Sequence, residues 1–188
     1  MERSSFVKVA VVQAASVLFD REAGVKKACE LIAEAAANGA RIILFPEAFI
    51  PAYPRGLSFG MVVGSRTPRG RKLWERYWSN AVDLPGPALE TLGKAARRAR
   101  VYLIMGVIER DTEFGGGTLY CTTLYIGPEG RLLGKHRKLK PTASERLIWG
   151  EGDGSTLTVV ATEFGKMGGL ICWENYMPLA RMALYGKG

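Results

Sequence analysis

The chain has 188 residues, a formal net charge of +8, 47% hydrophobic residues and 23% charged residues. This is enough for one domain with a real core, with the composition of a globular rather than a disordered chain. No apolar run approaches the roughly 20 residues of a membrane-spanning helix. The first 13 residues lack the apolar region and small-residue cleavage site of a secretory leader, so no membrane partner and a cytoplasmic location are expected. Three cysteines, Cys29, Cys121 and Cys172, without CxxC spacing argue against a disulfide scaffold or a zinc site. The single histidine, His136, cannot build a His-rich metal site, and beside Arg137 and Lys138 it is poorly suited to a Cys-His dyad. Positive charge gathers in residues 66–76, 94–100 and 131–140. The first two clusters are helix-like with apolar residues between the charges, and no RNP or zinc-finger pattern is present. A solvated basic face is therefore expected rather than a nucleic-acid site.

Residues 6–13, with Val7, Val9, Val11 and Val12, predict a buried strand. Residues 21–38 predict a helix, because Val25, Ala28, Cys29, Ile32, Ala35 and Ala36 form one apolar stripe and Gly39 is a good stop. Residues 42–45 form a short apolar strand closed by Pro46. The strand–helix–strand order predicts a parallel pair with a right-handed crossover. Residues 48–70 are rich in Pro and Gly, with Phe49, Tyr53, Phe59 and Met61 interleaved, and predict an ordered functional loop. Helices are expected over 73–82 and 88–100, the second with Pro87 near its start. Strands follow over 102–109, 119–126 and 131–137, with turns at 114–117 and 127–130; the last two strands form a hairpin. Another strand pair is expected over 157–161 and 167–172, then a helix over 178–185. The architecture is α/β, its mostly apolar strands covered on both faces or packed sheet on sheet. A final helix ending on Gly normally hands on to another strand. The chain is therefore expected to be a single domain over 1–188, incomplete at the C-terminus and leaving part of its sheet uncovered.

Three residues near strand ends carry candidate chemistry. Cys172 closes the apolar run Gly168-Gly169-Leu170-Ile171 just ahead of a helix, where a thiol can be exposed, oriented and met by backbone N–H groups. The competing reading is a buried structural cysteine, which is the expectation for Cys29 and Cys121. Glu47 follows the strand that ends at Phe45-Pro46, where α/β proteins place ligands. Flanked by Phe45, Ala48 and Phe49, it is expected to be desolvated in part, which suits a general base; a helix cap or surface ion pair is the plainer alternative. Lys138 ends the strand 131–137 and can stabilise a thiolate or a developing negative charge. Five of the ten residues 131–140 are Lys or Arg, a density that otherwise reads as a solvated strand edge.

Phe45-Pro46-Glu47-Ala48-Phe49, the segment Gly134-Lys135-His136-Arg137-Lys138-Leu139-Lys140-Pro141-Thr142, and Ile171-Cys172-Trp173-Glu174-Asn175-Tyr176-Met177-Pro178 resemble the three signature segments of the nitrilase superfamily of carbon–nitrogen hydrolases, in the family's order. Their particular forms are similar to the true nitrilase branch, as are Tyr53-Pro54-Arg55-Gly56 and Ile148-Trp149-Gly150-Glu151-Gly152-Asp153-Gly154-Ser155. The resemblance implies an α-β-β-α sandwich whose C-terminal portion is absent here, assembly into dimers or spirals, and action on a small-molecule nitrile without metal or cofactor. It implies Cys172 as nucleophile, Glu47 as general base and Lys138 as stabiliser of the tetrahedral intermediate. Glu145 then matches the family's second glutamate, which orients the lysine and the substrate. The expected reaction converts a nitrile to a carboxylic acid and ammonia through a thioimidate and an acyl-enzyme. An amidase or carbamoylase, a cyanide-hydrolysing relative, and a truncated inactive half remain as alternatives. Tyr53, Trp173 and the aromatics of residues 49–59 are candidates for the substrate pocket from position and size, against the reading that half of them are core.

Overall fold

A computed structural model describes residues 6–114 and 117–188; Gly115 and Gly116 of the expected turn lie outside the described residues. Five strands form one sheet in chain order: β1 (Val9–Val11), β2 (Ile42–Leu44), β3 (Tyr102–Arg110), β4 (Leu119–Ile126) and β5 (Leu132–Arg137). β1, β2 and β3 run parallel, and β4 and β5 continue antiparallel. The first two parallel pairs need crossovers, and helices supply them. The first, α1 (Arg21–Ala37), is capped by Asp20, whose carboxylate accepts from the Ala23 N–H. The second crossover contains α2 (Pro68–Ser79) and α3 (Pro87–Ala99). α3 starts on Pro87 and stops at Arg100, which takes the left-handed conformation at φ 55°.

The stripe read from the sequence faces the sheet. Ala28 and Ile32 of α1 and Leu92 and Ala96 of α3 pack with Ile43, Leu103, Met105 and Leu124. On the opposite face lies a hairpin, β6 (Val159–Thr162) with β7 (Gly165–Gly168). Val160 and Met167 of the hairpin meet Ile104 and Tyr125. Leu184 of the last helix, α4 (Pro178–Tyr185), lies beside Gly168 of β7. The layers are thus helix, sheet, sheet and helix, with the second sheet two strands wide. A second core gathers Phe19, Phe59, Tyr77 and Trp149 around Ile108, Leu119 and Cys121.

Several expectations need correction. The first strand is an edge strand and is not buried: Val9 is 49% and Val11 72% exposed on the side away from the helices. α2 begins at Pro68, five residues before the predicted start, because Thr67 caps it by accepting from the Gly70 N–H. β7 ends at Gly168, so the ladder does not reach Cys172. No described helix is long and apolar enough to cross a membrane.

Register decides which side chains meet. Ile104 pairs with Tyr125, Ile108 with Cys121 and Thr123 with His136. Because side chains alternate along a strand, Ile104, Gly106 and Ile108, then Cys121 and Thr123, then His136 all share the hairpin side. Lys138 continues that row, its N–H donating to the Cys121 carbonyl at 2.8 Å. Lys135 and Arg137 point the other way.

Candidate active site

Gly106 makes room for Glu47. The segment after β2 crosses over β3, with the Phe49 N–H donating to the Gly106 carbonyl at 2.9 Å. A Cβ at residue 106 would lie 2.1 Å from the Pro46 carbonyl oxygen and 2.9 Å from the Glu47 Cα. Only glycine lets the backbone carrying Glu47 sit against the sheet.

Lys138 is fully buried on the row defined above. Its Nζ donates to Glu47 Oε1 at 2.7 Å and to Glu145 Oε2 at 2.8 Å. Burial disfavours the ammonium, but the two carboxylates outweigh it and hold the proton above the ordinary lysine range. Glu145 stands in a one-turn 3₁₀ helix, Ala143–Leu147. It accepts from the Thr142 N–H at 2.6 Å and from the Tyr53 hydroxyl at 2.7 Å. Burial pushes its carboxyl up, yet Lys138, Tyr53 and the Thr142 N–H hold it below the ordinary carboxylate range. The same neighbourhood, burial first and Glu145 second, pushes the Tyr53 phenol up.

Cys172 opens a second 3₁₀ turn, Cys172–Tyr176. Its φ is +56°, left-handed for a residue that is not glycine. Asn175 Nδ2 steadies the turn by donating to the Cys172 carbonyl at 2.8 Å. The thiol is exposed. Burial of part of its surroundings and the Glu47 charge raise its pKa, over the opposing effects of Lys138 and the Trp173 N–H that donates to the sulfur. The sulfur therefore carries its proton at neutral pH and needs a base to become a nucleophile.

Glu47, Lys138 and Glu145 are joined directly, and Cys172 lies in the electrostatic field of all three. Tyr53 joins them through Glu145, with its ring edge-on to Trp149 at 5.5 Å. The other pocket candidates do not join them. Trp173 is 62% exposed and its ring packs at 5.1 Å on Tyr176, while Phe49 and Phe59 are buried in the core. Cys121, expected to be plain core, is buried but also lies against the site. Its Sγ donates to Glu47 Oε1 at 3.5 Å, and burial followed by Glu47 keeps it protonated. The signal was available in the pairing register, which puts residue 121 beside Lys138. The basic run is solvated only in part, at Arg131 and Lys140. Lys135 and Arg137 reach the buried Glu109 at 2.5 Å each on one face, and His136 is buried on the other. Among the described residues no group of three His, Cys, Asp or Glu is arranged to hold a metal. A groove of about 1000 Å³ between α1 and α3 touches none of Glu47, Lys138, Glu145 or Cys172.

An exposed thiol, a carboxylate to take its proton and a buried ammonium shared between two carboxylates form a set suited to covalent hydrolysis of an electrophilic carbon. Residues 8–188 match the carbon-nitrogen hydrolase family. The chain belongs to that family. As a carbon-nitrogen hydrolase it is 57% identical over 181 residues to an aliphatic nitrilase of Sinorhizobium fredii (strain HH103), covering 96% of this chain and 57% of that protein. It is 55% identical over 182 residues to a bifunctional nitrilase/nitrile hydratase of Lupinus angustifolius, covering 97% of this chain and 51% of the relative. The chain thus spans about half the length of the curated relatives it matches. Among solved structures, Nit3 of Saccharomyces cerevisiae, a member of branch 10 of the nitrilase superfamily, superposes with a TM-score of 0.72 at 22% identity, over 96% of this chain and 60% of that one. An amidase from Nesterenkonia sp. gives 0.72 at 20% identity, over 99% and 63%. These likenesses establish the fold.

Proposed function

We propose that this carbon-nitrogen hydrolase chain carries the catalytic machinery of a nitrilase. The observation that carries the reading is the Lys138 ammonium bound to both Glu47 and Glu145 beside a Cys172 thiol that rests protonated. Similarity to proteins named nitrilases, at 55% and 57% identity, favours a nitrile over an amide as substrate.

Glu47 takes the Cys172 proton as the sulfur bonds to the nitrile carbon, and the proton passes to the nitrogen to give a thioimidate. Lys138 and the Trp173 N–H stabilise the negative charge as it develops. Glu145 and Tyr53 hold Lys138 in place. Water adds to the thioimidate carbon, the carbon–nitrogen bond breaks and ammonia leaves, giving a thioester. A second water, deprotonated by Glu47, releases the carboxylic acid and returns the thiol. One nitrile and two waters thus give one acid and one ammonia.

The tetrahedral intermediate has a second exit. If the carbon–sulfur bond breaks first, the amide leaves instead. The Lupinus relative's name, nitrilase/nitrile hydratase, makes this exit worth measuring. The test is release of ammonia, acid and amide by the purified 188-residue chain on aliphatic, arylacetonitrile and aromatic nitriles, with the corresponding amides in parallel. Cysteine-dependent ammonia from nitriles, abolished in Cys172→Ala, is expected. Turnover of amides alone would replace the reading with an amidase. Turnover that survives Cys172→Ala in a contaminant-free preparation would sink it.

A further inference from the structure

Glu174 takes no part in the chemistry above, although it stands two residues after Cys172 and is almost completely buried. Its carboxylate gathers three partners from two segments far apart in sequence. The Ile171 N–H, in the residue before Cys172, donates at 2.6 Å. The Leu139 N–H, in the residue after Lys138, donates at 2.5 Å. His136 Nε2, on the strand that delivers Lys138, lies 2.9 Å from Oε2 and 3.2 Å from Oε1. The other ring nitrogen of His136 faces the Thr156 carbonyl at 3.0 Å. The ring is thus held between two acceptors, the Glu174 carboxylate and the Thr156 carbonyl.

We propose that Glu174, backed by His136, is the positioning residue that fixes the Cys172 sulfur relative to the Lys138 ammonium. The two side chains come from segments 34 residues apart in sequence, and the turn at Cys172 is left-handed. Such a turn persists only where its surroundings over-determine it. Glu174 does so by tying the peptide on the near side of Cys172 to the peptide on the far side of Lys138. His136 keeps the carboxylate from turning away, because its own ring is pinned from behind by Thr156. Removing the charge leaves two buried N–H groups and a buried imidazole short of acceptors. Glu174→Gln is nearly isosteric but brings an NH₂ group against one of three donors.

The proposal rests on Cys172 being the nucleophile, so its test has one arm that needs no turnover. His136 is the sole histidine, and its ¹⁵N ring signals need no assignment. The Nε2 signal of the unaltered chain is expected to move in Glu174→Gln, because that nitrogen loses the carboxylate it faces at 2.9 Å. Ring signals unchanged by Glu174→Gln would overturn the positioning pair. In the second arm, Glu174→Gln is expected to lower kcat on the preferred nitrile by at least tenfold, since a 1 Å misplacement can cost about 100-fold. KM should stay within about threefold, at a temperature where the variant is folded. An unchanged kcat with only a lower melting temperature would make Glu174 a structural residue and end the proposal. Should Glu174→Gln not fold, His136→Gln keeps both backbone bonds and is expected to give a smaller fall in kcat with the same KM. If the unaltered chain turns over no nitrile, a catalytically inactive fragment becomes the leading account of this chain, and the ring signals still decide whether the pair exists.

Discussion

Burial and the neighbouring Glu47 carboxylate both hold the proton on Cys172. Its alkylation by iodoacetamide is therefore expected to rise with pH along a curve whose midpoint lies above the ordinary thiol value of about 8.5. Peptide mass spectrometry reads this site by site. Cys121, buried and bonded to Glu47, should stay unmodified until the chain unfolds. A midpoint below that of free cysteine would mean that a thiolate is formed in advance by Lys138 and that the Glu47 base is dispensable. With the thiol protonated at rest, Glu47→Gln is expected to lower kcat/KM by about 10²–10⁴, the usual contribution of a positioned general base. It also removes one of the two carboxylates that hold Lys138.

At the scale of single elements, β3 and β5 do the positioning. Gly106→Ala would drive a methyl group into the Pro46 carbonyl. We expect it to destabilise the fold by about 1–3 kcal/mol, as overpacking does, and to lower activity by lifting Glu47 from β3; denaturant melts and turnover of the same variant separate the two effects. Glu109→Ala would leave Lys135 and Arg137 without their shared buried partner, at a cost of about 3–5 kcal/mol. The elements themselves were largely legible in the sequence. The apolar stripe of α1 with its Gly39 stop, Pro87 at the start of α3 and the Gly127–Gly130 turn are local, and local chemistry settles them. The start of α2 was missed because Thr67 and Pro68 lie within a Pro/Gly-rich stretch that resembles loop from end to end. Along 131–140 the choice between a functional lysine and a solvated edge is not settled by counting charges, because the carboxylates that meet Lys135, Arg137 and Lys138 come from other elements: Glu109, Glu47 and Glu145.

At the scale of the molecule, three buried or half-buried carboxyls, Glu109, Glu145 and Glu174, are held below the ordinary range. In each case burial opposes the shift and the paired donors overcome it. A carboxyl depressed in the folded state contributes stability above its unfolded pKa of about 4.3 and loses it as pH falls through the folded value. The melting temperature is therefore expected to drop steeply below about pH 4, as the bonds that join the Lys138 and Cys172 segments and those that pin β5 loosen together. A flat profile from pH 6 to pH 3 would show that these contacts are weaker than their geometry. The candidate site was legible to the extent that its parts lie in recognisable local segments. Glu47, Lys138 and Glu145 meet as the order of motifs implies, whereas the parts of Cys121 and Glu174 depend on how segments distant in sequence pack together. The sequence pattern identified Tyr53 and Trp173 equally as aromatics near the site, and only the fold turns the first towards Glu145 and the second out to solvent.

The alternation along β5 also bears on how this stretch of chain can change over time. Lys135, His136, Arg137 and Lys138 alternate between the two faces of the sheet, so all four places hold nitrogen bases, but only one side meets Glu47 and Glu145. A substitution alters one contact. An insertion or deletion of a single codon between Leu132 and Lys138 would exchange the faces, sending Arg137 towards the thiol and Lys138 towards Glu109. Net charge would be almost unaffected, and a comparison by composition would see nothing amiss. Drift here should proceed by replacement and hardly ever by a change of length, and a library that varies both would separate the two by survival.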